Sequence, residues 1–150
     1  MRFYTHDWWL NVQHGDSTSP FQAYSEYFDS VRSQLPPAVL HLHESESLHD
    51  SNVCAISIEV TAAQARVDLR GWDREGNVRR IYTLSYSEVL SLAVSGAAEV
   101  PLVGPFGFGD LGYDEFNVLG PGAIEHRLLF SSGVEVAVVF SGFQFTASPP

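Results

Sequence analysis

The apolar positions of this chain change period twice. From Phe21 they recur at three- and four-residue spacing, as Phe21, Tyr24, Phe28, Val31 and Leu35. Ser25, Asp29, Arg32 and Ser33 fall outside that stripe. This period predicts an amphipathic helix over 20–34, started by Ser19 as cap, Pro20 and a Gln22 capping box. Pro36 and Pro37 must end it. Thr5 predicts a second, shorter helix through Trp8, Trp9 and Val12, ended by Gly15 and held to the core by its indoles. Beyond Pro37 the period drops towards two. Val39 to Leu42 reads as a short extended piece, and Glu44 to Asn52 as a polar loop. Val53 to Val60 reads as a strand with Cys54, Ile56, Ile58 and Val60 inward. Ala65 to Leu69 and Val78 to Tyr86 form the next two strands, joined by a hairpin turn at 73–77. The stretch 87–94 fits a short helix or a strand, and the helix is preferred. Val103 to Gly112 is a loop.

The last third carries the plainest pattern. Runs at Tyr113–Leu119, Ala123–Phe130 and Val134–Phe140 are divided by Gly120-Pro-Gly122 and Ser131-Ser-Gly133. That is an antiparallel meander. Val134, Val136, Val138 and Phe140 share a face that should be core. Arg127 is expected to pair across the meander with Glu115 or Glu135. The fold class that follows is α+β: a mostly antiparallel sheet packed against one or two N-terminal helices, in one domain spanning 1–150.

Charge narrows the partners. The formal net charge is −10, and all 8 basic residues are arginine. The absence of lysine removes Schiff-base and P-loop chemistry. The acidic balance argues against nucleic acid and for a basic protein as partner. With one cysteine there is no internal disulfide. The first residues show no signal-peptide pattern and no run reaches transmembrane length, so a cytoplasmic location away from membranes is expected. Homo-oligomers remain open.

The candidate chemistry is polar and loop-borne. Glu44, Glu46, His49 and Asp50 precede the first strand, and Asp110, Asp114 and Glu115 open the meander. These carboxylates cluster away from the arginines at 66–80, and they form the expected binding set. No catalytic set is visible. Cys54 reads as an inert core thiol, no Gly-x-Ser-x-Gly elbow exists, and adjacent Asp114 and Glu115 point to opposite faces of a strand. The glycines at 104, 107, 109 and 112 are followed by acids, which would repel phosphate. No cofactor is expected. His41 and His43, two apart on an extended piece, would share a face, and with His49 they are weak candidates for a metal.

Phe3-Tyr4-Thr5 with Trp8, Leu48-His49-Asp50, and Tyr113-Asp-Glu-Phe116 with Glu125-His-Arg-Leu-Leu-Phe130 and Gly133-Val-Glu135 carry a resemblance. In these motifs the chain resembles a family of small, uncharacterised bacterial domains with no established activity. It is also similar to acidic α+β immunity proteins, which implies a non-enzymatic protein that neutralises a basic partner or toxin. His41-x-His43 resembles the ligand motif of cupins, which implies the alternative of a metal-dependent or small-molecule-binding enzyme using His41, His43 and His49. The order of the surrounding residues places that alternative second.

Overall fold

A computed structural model describes residues 1–12, 19–96, 101–104 and 107–150. Among them run three α-helices, α1 (His6–Val12), α2 (Phe21–Val31) and α3 (Pro37–Ser45). Eight strands follow: β1 (Asn52–Glu59), β2 (Gln64–Trp72), β3 (Arg79–Ser87), β4 (Ser91–Ser95), β5 (Leu111–Gly120), β6 (Ala123–Phe130), β7 (Glu135–Phe140) and β8 (Gly142–Ser148). The fold is α+β. Its strands form two antiparallel four-stranded sheets, ordered β1-β2-β3-β8 and β4-β7-β6-β5.

Between the sheets lies a core that alternation dictates. Val67 and Leu69 of β2, Tyr82, Leu84 and Tyr86 of β3, and Val136, Val138 and Phe140 of β7 point inward and are buried. The first sheet turns its other face, with Arg66, Ser85 and Gln144, toward solvent. The second sheet is covered on both faces. Leu128 and Leu129 are adjacent on β6, point opposite ways, and are both fully buried. On the face opposite the core, the backbone of Arg2–Tyr4 is tied down by Glu115.

The helices occupy the strand edges. α2 packs on β5 and α3 on β8. An edge strand exposes unpaired backbone groups, and α2 answers this with hydroxyls. The amide of Phe116 donates to Tyr24 Oη at 2.8 Å, and the amide of Val118 donates to Tyr27 Oη at 2.8 Å. Two residues apart on the strand, these outward amides meet two tyrosines nearly one helical turn apart.

Several expectations are met locally. Thr5 Oγ1 accepts from the Trp8 amide at 3.1 Å. At α2 the cap shifts by one: Pro20, not Ser19, holds the N-cap place, and Ser19 Oγ accepts from the Phe21 amide at 3.3 Å just ahead of the helix. Gly15, the expected stop of α1, lies outside the described residues. A single 3₁₀ turn, Arg32–Gln34, carries α2 to the predicted limit. Arg127 finds Glu135 at 3.2 Å across the meander and Glu125 on its own strand at 2.8 Å.

Others need correction. Gln22 makes no capping box and instead donates to Glu26 one turn on, at 2.8 Å. Val39 to Leu42 is helical, because Pro37 sits in the first turn of α3, where its missing N–H costs nothing. The stretch 87–94 is not a helix: Ser87 ends β3 and β4 begins at Ser91. The five residues of β4 pair with β7, with Leu92 opposite Val138 and Val94 opposite Val136. Cys54 is exposed, not core. The β1–β2 register slips between Val53 and Ala55, so Cys54 is the extra residue of a bulge. The bulge takes Cys54 off the inward face and brings Val53 onto it beside Ile56, as their partners Leu69 and Val67 show. Ile58, opposite Ala65 on the same face of this edge strand, is 53% exposed. A fourth meander strand, β8, follows β7 across Ser141 and pairs with β3, linking the two sheets.

Candidate functional site

A cleft of about 230 Å³ opens where the start of β5 passes the helices. Its walls are rings: Tyr4, Phe21, Tyr24 and Tyr113, with His43 and His49. Its two carboxylates are Glu46 and Asp114.

Gly112 shapes one wall. The β5–β6 register slips between Leu111 and Tyr113, which makes Gly112 a bulge residue and re-aims Tyr113 and Asp114. A Cβ at Gly112 would lie 2.3 Å from the Trp9 ring, so only glycine lets α1 approach this closely. Trp8 and Trp9 then meet Tyr113 edge-on, with centroids 5.1 and 5.4 Å away. Tyr4 stacks on Tyr113 at 5.0 Å. His43 lies flat on Phe28 of α2, centroids 3.8 Å apart. Each ring is held by another ring, so the walls are fixed before anything binds.

The two carboxylates are fixed from behind. Asp114 Oδ2 is 3.1 Å from Nε2 of His126, and Nδ1 of His126 is 2.8 Å from the Tyr86 hydroxyl. With Asp114 ionised, Nε2–H donates to it and Nδ1 accepts the hydroxyl hydrogen of Tyr86. Burial, then the charge of Asp114, pushes the Tyr86 hydroxyl well above its ordinary value, so that hydrogen stays in place. His126 is fully buried and stacked on Phe116 at 3.9 Å. Glu46 Oε2 lies 3.0 Å from the Tyr82 hydroxyl, whose single hydrogen it shares with the Trp72 carbonyl at 2.8 Å. Burial, then that hydrogen bond, raises the Tyr82 hydroxyl.

Asp114 dominates the local field. Burial, followed by the Asp114 charge, raises the hydroxyls of Tyr4 and Tyr24. The same charge opposes the fall that burial imposes on His43, which stays below its ordinary value. A negative centre ringed by aromatic faces suits a cation.

The expected binding residues divide. Glu46, His49 and Asp114 come together at the cleft. Glu44 does not; it forms an ion pair with Arg32, and its carbonyl accepts from Arg74. The expectation that this loop lies away from arginine is therefore corrected. Asp50 pairs with His49 at 3.0 Å, outside the cleft. Asp110 is exposed beside Asn52, whose Nδ2 donates to it at 2.7 Å. Glu115 is no rim acid. Fully buried, it accepts the amides of Arg2, Phe3 and Tyr4 at 2.5, 2.9 and 3.3 Å. Nor is it the partner of Arg127.

The histidine set is dispersed. On a helix, residues two apart point about 200° apart, so His41 and His43 face opposite ways. His41 bonds Ser45 Oγ at 2.7 Å and lies near Phe145, while His43 lies on Phe28. Among the described residues no three His, Cys, Asp or Glu side chains come together at metal-ligating distance. Reading the sequence alone missed Tyr4, Phe21, Tyr24 and Tyr113 as walls, and His126 as the residue behind Asp114. The aromatic crowding of the first 28 residues was the available signal.

The architecture is thus that of an α+β domain with a ring-lined acidic cleft between its helices and an edge strand. The chain belongs to the family described as "Protein of unknown function (DUF4085)", whose model matches residues 3–79. That segment supplies Tyr4, α2, α3 and His49, while Tyr113 and Asp114 lie beyond it. No curated protein sequence matches the chain. No helix among the described residues is long and apolar enough to cross a membrane.

Proposed function

We propose that this protein is a non-enzymatic acidic binding protein of the bacterial cytoplasm. In this reading it is immunity-like, masking a basic partner or toxin by drawing part of its basic surface into the cleft. One observation carries the reading: Asp114 faces a cleft walled by fixed rings while a buried histidine and tyrosine hold it from behind. A carboxylate so organised binds a cation without first ordering itself, which lowers the cost of association. The net charge of −10 adds long-range attraction toward a basic surface. His41 points away from the cleft that His43 and His49 line, and among the described residues no three His, Cys, Asp or Glu side chains come together as a metal-ligating set, so the metal-dependent alternative stands second.

The test is a photo-crosslinker placed at Phe21, which is 50% exposed on the cleft rim. In the source cells it should capture a discrete protein with a basic surface. The purified complex should weaken as salt rises, and Asp114→Asn should weaken it further. A complex indifferent to both salt and Asp114→Asn would refute the reading.

A further inference from the structure

Resting on that reading, the geometry points to one ligand class for the cleft: we infer that it takes a single arginine side chain of the partner, recognised as a guanidinium. Size is the first argument. Small-molecule pockets usually span ~300–1,000 Å³, whereas this cleft holds about 230 Å³. That suits one side chain, not a whole ligand.

The carboxylates supply the second argument. One oxygen of Asp114 is engaged by His126 and one oxygen of Glu46 by Tyr82. Among the described residues these are the only hydrogen bonds and ion pairs formed by the two carboxylates. Two separate acceptors lining one cleft call for a cation with several donors spread across a rigid plane. Guanidinium offers five in a fixed fork, whereas an ammonium is a compact, strongly hydrated point. A quaternary ammonium has no N–H at all and would leave the second oxygen of each carboxylate without a hydrogen-bond donor.

Shape supplies the third. The walls are flat faces and edges held rigid by ring-on-ring contacts, Tyr4 on Tyr113 and His43 on Phe28. Ring faces attract any cation, but only a planar one can also lie flat and stack on them. The molecule's own arginines do not fill the site. Arg32 pairs with Glu44, Arg66 with Asp68, and Arg127 with Glu125 and Glu135, while Arg79 lies over Trp72.

Titration calorimetry at low salt decides this, using the N-acetyl amides of arginine, lysine and trimethyllysine as probes. Arginine should bind about fivefold more tightly than lysine and tighter still than trimethyllysine. Asp114→Asn should weaken arginine about tenfold, the loss of one charge-assisted hydrogen bond. Because Asp114 touches buried His126, Glu46→Gln is measured alongside; it keeps the acceptor for Tyr82 and should cost about fivefold. Lysine or trimethyllysine binding as tightly as arginine would overturn the guanidinium assignment while leaving a cation cleft. Arginine binding that neither variant weakens, or no binding by any probe, would overturn it as well. A basic partner crosslinked at position 21 in the latter case would show that the broader reading survives without it.

Discussion

Two of the molecule's hollows contrast, and the larger is the less organised. On the open face of the first sheet a trough of about 530 Å³ is lined by residues such as Ser57, Glu59, Arg66, Ser85 and Gln144. Its polar side chains belong to a solvated sheet face, the ordinary outer surface of an antiparallel sheet. Arg66 there is engaged by its neighbour Asp68 at 2.9 Å, and Thr83 donates to the same carboxylate at 2.7 Å. The cleft at β5 has less than half that volume, yet its carboxylates are backed by buried tyrosines and a buried histidine. Volume records where strands curve. Side chains fixed in advance and facing unpartnered space record where binding has been prepared.

The contrast can be broken by mutation, most severely beside the cleft. Glu115→Ala should cost about 3–5 kcal/mol in urea unfolding, because three backbone amides lose their buried acceptor. Next comes His126→Ala, at about 3 kcal/mol. It leaves a cavity beside Phe116 and strips Tyr86 and Asp114 of their partner. Arg127→Ala should cost about 1 kcal/mol, since its ion pairs with Glu125 and Glu135 are only partly buried. A melting point within a degree of wild type would remove the structural role given to Arg127. In the trough, Arg66→Ala should change stability by no more than about 0.5 kcal/mol. If it costs as much as His126→Ala, the distinction between the two hollows fails.

The cleft should also respond to pH. Burial against Phe28 holds His43 below its ordinary 6.5, with Asp114 partly opposing the shift. Between the two values the unfolded chain binds more protons than the folded one, so stability rises with pH there. The contribution is fully present above 6.5 and is lost as pH falls through the lowered folded value. His43→Phe, which keeps the stack, should flatten that part of the stability profile. An unchanged profile would mean that His43 is not the group responsible. Smallest of all should be the effect of charge on association rate. Reversal at Glu46 should slow a basic partner more than reversal at Glu44, whose charge Arg32 already offsets.

Much of the fold was legible because period is local. Val134 to Phe140 alternate, and Phe21 to Leu35 recur at helical spacing, whatever lies around them. Failures came where one residue changes the count. Pro37 reads as a breaker but begins α3, and a bulge at Cys54 exchanges Cys54 for Val53 on the inward face. The site was less legible than the fold. Asp114 and Glu46 were found as acids, yet Glu115, adjacent to Asp114, proved to be a buried backbone acceptor. Adjacent residues on a strand face opposite ways, and composition does not say which face is covered. The His126–Asp114 contact joins residues 12 apart across a hairpin, and the Tyr86–His126 contact spans 40. Neither spacing leaves a mark in one sequence.

The central claim is that the small cleft, not the large trough, is where a basic group binds. Amide shift mapping by ¹⁵N–¹H NMR during titration with a tri-arginine peptide tests it most directly. The account predicts saturable shifts at Leu48, His49, Gly112 and Asp114, with Ser57, Ser85 and Gln144 unmoved. Shifts centred on Ser57, Ser85 and Gln144, or spread evenly over every exposed carboxylate, would contradict it.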